Sequence, residues 1–204
     1  MKNFLLIIVC LIYTLPSYAS VKDIEQDLTN CLKGKYLSWQ MQACSLEAYE
    51  KCEAEIMLLF RNNALNNKAL QYNQALWNNY KKSVKKTIIE PLSSAAGSLF
   101  QEFAASNLYY LEHNRLIILG YYLKNNNYQI ENNRYEKQIA KYLAELKNYM
   151  TDEQYSLLLK NQKDWQLYKN NTIALLPVKK EQVSAIMTQE RNSQLFSLLQ
   201  IYAQ

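Results

Sequence analysis

Apolar positions along most of this chain recur at spacings of three and four, with little punctuation between them. Trp77, Tyr80, Val84 and Ile88 fall on one helical stripe, and Trp165, Tyr168, Thr172 and Leu176 repeat that stripe later in the chain. Such stripes are expected to face a core. Beyond the first twenty residues, glycine occurs only as Gly34, Gly97 and Gly120 and proline only as Pro91 and Pro177. Scarce breakers and abundant Leu, Ala, Lys, Gln and Glu predict an all-α fold. Ser45 is expected to cap a helix running to about Arg61, and Asn63 to cap the next. Thr151-Asp152-Glu153-Gln154 is a capping box that opens the later striped helix. Both striped helices should stop before a proline, at Glu90 and Leu176, because the residue before proline is pushed out of helical geometry. Further helices are predicted over about Ser98–Leu123, Asn133–Tyr149 and Lys179–Tyr202.

The stripes belong to a longer repeat. Asn73-Gln74-Ala75-Leu76-Trp77-Asn78-Asn79-Tyr80 returns as Asn161-Gln162-Lys163-Asp164-Trp165-Gln166-Leu167-Tyr168, 88 positions on (77 to 165). Lys81 and Lys169 follow the two copies, and Tyr49-Glu50-Lys51 upstream matches Tyr135-Glu136-Lys137. Self-similarity of this kind implies one supersecondary unit used twice. The expected architecture is therefore a helical bundle built from two tandem copies of a helical-hairpin unit. Residues 20–124 form the first and residues 125–204 a shorter second, joined near Asn125-Asn126-Asn127 and Asn132-Asn133. The first copy also carries an insertion, Ser93-Ser94-Ala95-Ala96-Gly97-Ser98.

Residues 1–19 stand apart from this pattern. Lys2, an apolar run from Phe4 to Leu15 and a small-residue ending at Ala19 make an export signal, too short to span a bilayer comfortably. A periplasmic or secreted protein with no stable membrane insertion is expected. In an oxidising compartment Cys31 and Cys44 are the favoured disulfide. Cys44 and Cys52 lie two turns apart on one predicted helix, beyond bonding reach, so Cys52 is expected to be a buried thiol. The formal charge of +5 is scattered, apart from the run Lys81-Lys82-Ser83-Val84-Lys85-Lys86. Its plain interpretation is the solvated face of a helix. An exported chain without a recognition module is not expected to bind nucleic acid.

Catalytic chemistry is thin. His113 is the only histidine, which excludes His-pair metal sites within one chain, and no phosphate-cradling glycine loop or nucleophile elbow occurs. A Cys52–His113 nucleophilic pair has no local support. Glu112 is expected on a helix surface, and Glu53 and Glu55 as solvated charges. No enzyme activity, cofactor or metal is expected.

Cys31, Cys44, a helix, then Gln74-x-x-Trp77-x-x-Tyr80-Lys81, Gly97-Ser98 and Arg115 resemble the LprI-type domain of small exported bacterial proteins. Gln162, Trp165, Tyr168 and the closing Thr188-x-x-Arg191 carry the resemblance into the second copy. The pattern departs from the family in having Lys81 for its usual arginine and in lacking two further cysteines. The resemblance implies a lysozyme-inhibitor-like binding protein that blocks a cell-wall muramidase through protein–protein contact. Under it, Gln74, Trp77, Tyr80, Arg115, Gln162, Trp165, Tyr168 and Arg191 are structural signature residues. Lys82, Lys85, Lys86, Ser93, Ser94, Gly97 and Ser98 are the candidate contact residues. The competing expectation is a helical adaptor or immunity-type protein that binds another secreted protein, for which exposed tyrosines near Tyr109-Tyr110 and Tyr121-Tyr122 would serve.

Overall fold

The computed structural model describes residues 20–64, 67–123 and 135–203. The export signal and the asparagine-rich junction expected from the sequence lie outside these residues. The described chain is all-α and contains no strand. In order it forms α1 (Val21–Leu32), α2 (Ser38–Asn63), α3 (Lys68–Val84), α4 (Glu90–Ser94), α5 (Ser98–Leu123), α6 (Glu136–Leu146), α7 (Asp152–Leu175) and α8 (Lys180–Tyr202).

Ser45 meets Ser106 across α2 and α5, and about two turns further on Glu53 and Glu112 share Lys81. Helices α2 and α5 therefore run parallel, with α3 returning beside them. Helix α1 lies antiparallel on this pair, held by Asp27–Lys51 and Glu25–His113 contacts and by the Cys31–Cys44 disulfide. Helix α7 packs on α3, and α8 packs on both α5 and α6. One continuous core joins the earlier and later segments, running from Ile24 and Cys52 through Trp77 and Leu116 to Trp165 and Leu195. Among the described residues no helix is long and apolar enough to cross a membrane.

The stripes are buried as predicted: Tyr80, Val84 and Ile88 have no exposure, and Trp165, Tyr168, Thr172 and Leu176 are all inside. The Thr151 capping box forms, and α5 has the predicted bounds. Helix starts were less legible. Helix α2 begins at Ser38, so Ser45 is a buried residue inside it rather than a cap. Asn67, not Asn63, caps α3 by accepting from the Leu70 N–H; Asn63 instead donates to the Leu59 carbonyl. Helix α1 was not anticipated, yet Ser20 and Asp23 make a complete capping box for it.

Pro91 does not end the helix before it. Residues Lys85–Ile89 widen into a π-helical segment, with the Glu90 N–H bonding the Lys85 carbonyl, and Pro91 falls in the first turn of α4. The helix is continuous through this junction, so it is the wide turn before Pro91 that accommodates the ring and the missing N–H. The wide turn also carries three consecutive residues, Thr87, Ile88 and Ile89, into the core. Pro177, by contrast, follows the end of α7 as expected.

Candidate functional site

The repeated octapeptides build two matching arginine centres. Arg115 of α5 is buried and donates from Nη1 to Asn73 Oδ1 (2.7 Å) and from Nη2 to Gln74 Oε1 (2.6 Å). Arg191 of α8 is fully buried and donates from Nη1 to Asn161 Oδ1 (2.5 Å) and from Nε to Gln162 Oε1 (2.8 Å). Asn73-Gln74 and Asn161-Gln162 are the paired residues that open the two octapeptides. The planar guanidinium fork suits two amide oxygens on adjacent residues of one helix turn.

The two centres meet. Arg115 also donates to the Tyr168 hydroxyl (3.1 Å), while the Tyr80 hydroxyl lies 3.0 Å from Glu190 Oε1 and 3.1 Å from Gln194 Oε1. Tyr80 and Tyr168 stack with centroids 5.8 Å apart. Asn114 and Glu190, each immediately before one of the arginines, hydrogen-bond to each other at 3.0 Å. Lys81 pairs with Glu112, three residues before Arg115, as Lys169 bonds Thr188, three residues before Arg191. These residues hold helices α3, α5, α7 and α8 in register. A tyrosine from each octapeptide therefore reaches the arginine centre of the other.

Burial shapes the acids here. Burial raises the Glu190 carboxyl from its ordinary 4.5 to about 7, against the opposing pull of hydrogen bonds from Asn114 and Tyr80 and of the Arg191 charge. Burial likewise raises Glu112, with Lys81 pulling the other way, and raises Tyr80 and Tyr168. Because Glu190 holds its proton to higher pH when folded than when unfolded, its contribution is fully present below about pH 4.5. It is lost as pH rises to about 7. Glu190→Gln is expected to remove that slope. Thermal melts between pH 5 and 8 should show the variant gaining on wild type as pH rises, by roughly 3 kcal/mol at the upper end. Parallel curves for the two proteins would show that Glu190 ionises without penalty.

Several expectations change at this point. Glu112 is not on the surface but buried, and Glu53 is not simply solvated, since it bonds Lys81 at 2.6 Å. Glu55 is buried as well. Lys81 thus bridges two carboxylates on different helices. His113 contacts Glu25 at 3.0 Å, and burial lowers its proton affinity. Cys52 is buried and free, its thiol pushed up to about 12 by burial and by the nearby Glu112 and Glu25 charges. A thiol so protonated is a poor nucleophile. Cys31 and Cys44 form the expected disulfide, with Cα atoms 5.7 Å apart.

The candidate contact residues do not form one surface. Lys82 and Lys86 face a groove between α3 and α7. Lys85 points the other way, toward the Tyr49 ring and hydroxyl. Ser93 and Ser94 end α4, Gly97 adopts a φ of +115° that favours glycine, and Ser98 starts α5; all four are exposed. Ser93 lines a shallow pocket with Gln42 and Leu46 of α2 and Gln101 of α5, which sets this loop beside the start of α2. The turn between α1 and α2 projects from that same end, with Gly34 at φ +74°. It carries Tyr36 (89% exposed) and Leu37 (54%), Trp39 (61%) follows in the first turn of α2, and Leu99 (51%) stands at the start of α5. Of the tyrosine pairs, Tyr110 is exposed while Tyr109 and Tyr121 are buried.

The sequence pattern does not single out Tyr36, Leu37 and Trp39, because composition alone does not tell an exposed aromatic from a buried one. The signal there was the cysteine pair that brackets them. No family model matches the chain, and neither a curated protein nor a solved structure matches it.

Proposed function

We propose that this chain is an exported binding protein that blocks a cell-wall muramidase by protein–protein contact, using the end of the bundle formed by the α1–α2 turn and the Ser93–Ser98 loop. The observation that carries it is the group of large apolar side chains exposed there, Tyr36, Leu37, Trp39 and Leu99. Tyrosine and tryptophan are the side chains most enriched in the cores of protein interfaces. The Cys31–Cys44 bond braces the turn, which lowers the ordering cost on binding. Lys33 and Lys35 are exposed just before the aromatic tip and supply cations for the paired carboxylates of a glycosidase cleft. The LprI-type resemblance points to the same class of partner. Of the signature residues all but the half-buried Gln74 are buried, which supports a part in holding the fold and leaves contact to the surface.

Net positive charge favours a neutral or acidic muramidase, because a basic one would repel this chain during approach. The test is a lysis assay with purified native protein against chicken-type, goose-type and invertebrate-type lysozymes and one bacterial muramidase. Stoichiometric inhibition is expected of at least one, with a dissociation constant near micromolar, about −8 kcal/mol. Neither inhibition nor binding across that panel would remove the muramidase and favour an adaptor or immunity-type role.

A further inference from the structure

The second surface left open by the arginine centres is the groove between α3 and α7, of about 450 Å3. Lys82 and Lys86 line it from α3 and the π-helical segment, and Lys160 lines it from α7. Asn79 and Ser83 add an amide and a hydroxyl, and among the described residues Asp164 is the one carboxylate in its wall. The basic run of the sequence divides here. Lys81 and Lys85 are engaged on the α2 side, by Glu53 and Glu112 and by Tyr49. Among the described residues no carboxylate lies within ion-pair distance of Lys82, Lys86 or Lys160.

We propose that this groove is a binding site for a phosphate-bearing ligand. Three ammonium groups around one concave space raise the local potential for an anion, and the low-dielectric helix walls focus it. Their chemistry favours phosphate over carboxylate: no arginine is present to grip a planar carboxylate in bidentate fashion, whereas lysine serves as a point charge for phosphate oxygens in many orientations. From Asn79 to Thr87 the lysine-bearing face runs about 12 Å along the helix, long enough for more than one phosphate group. The π-helical segment is an independent pointer. Such segments are rare and recur at functional sites, and this one ends the wall that carries Lys82 and Lys86. The groove takes one wall from each repeated segment, so a single unit would not contain it.

Titration calorimetry with inorganic tripolyphosphate at low salt tests the site. Wild-type protein is expected to bind, and the triple variant Lys82→Gln, Lys86→Gln, Lys160→Gln to bind at least tenfold more weakly with an unchanged circular-dichroism spectrum. The triple variant Lys137→Gln, Lys141→Gln, Lys147→Gln removes the same charge from exposed positions on α6 and just after it, and should bind within about twofold of wild type. Vesicles of phosphatidylglycerol and of phosphatidylcholine then distinguish the source. Capture by the first alone, released by tripolyphosphate, identifies a lipid headgroup; tripolyphosphate binding without vesicle capture identifies a soluble phosphate polymer; either upholds the site. No binding by wild type at roughly millimolar ligand, or equal weakening in both variants, overturns it.

Discussion

Replacing Arg191 with methionine is expected to destabilise the fold by roughly 3–5 kcal/mol, with Arg115→Met close behind. Methionine keeps much of the volume, so the loss isolates the polar contacts. Without the guanidinium, the side-chain oxygens of Asn161, Gln162 and Gln194 each lose a charged donor inside the core, where none is near water. Arg115→Met strips Asn73, Gln74 and the Tyr168 hydroxyl in the same way, though Gln74 is near enough to the surface to recover part of its loss. Lysine should not rescue either site, since one ammonium cannot reproduce the fork that meets two adjacent amides. Urea denaturation with an unchanged m-value is the measurement. A loss below about 1 kcal/mol at both sites would mean that the amides find other partners and that the centres do not hold the helices together.

The second large effect belongs to the tryptophans. Trp77→Ala and Trp165→Ala should each cost about 3–5 kcal/mol, the range for deleting a buried aromatic side chain. Trp77 should lie at the upper end. It packs against Tyr80 and Tyr168, at 5.9 and 5.3 Å, and its ring lies 5.8 Å from the Arg115 guanidinium. Its loss therefore loosens both arginine centres. Trp165 has the Lys169 ammonium over its ring, but its indole N–H has no hydrogen-bond partner among the described residues. Trp165→Phe should therefore be far milder than Trp165→Ala, whereas Trp77→Phe disturbs three ring contacts at once. Equal stability of wild type and the two alanine variants, read from the same urea curves, would contradict this packing.

What the sequence made legible follows from period. A stripe such as Trp77, Tyr80, Val84, Ile88 is readable because helical geometry alone decides which positions share a face, and the octapeptide repeat doubled the signal. Arg115 and Arg191 could be picked out through the LprI-type pattern, as could Gln74 and Gln162, but which amides meet which arginine could not. Guanidinium and amide stand 42 residues apart in the Arg115–Asn73 bond, and nothing local links them. The acids failed for a related reason. Glu112 and Glu55 read as solvated because an isolated carboxylate cannot be buried cheaply, and the lysine that offsets Glu112 comes from another helix. The basic run at Lys81–Lys86 looked like one patch, yet about 100° of rotation per residue sends Lys82 and Lys86 to one groove and Lys85 to Tyr49. The exposed turn at Tyr36–Trp39 gave the weakest warning, since composition cannot tell a displayed aromatic from a buried one.

The most direct test of the binding proposal is the lysis assay repeated with Tyr36→Ser, Trp39→Ser protein. Both side chains are exposed, so melting should stay within experimental error of wild type while inhibition of the susceptible muramidase falls by at least tenfold. Undiminished inhibition by this variant would contradict the assignment of the contact to the disulfide-braced end of the bundle.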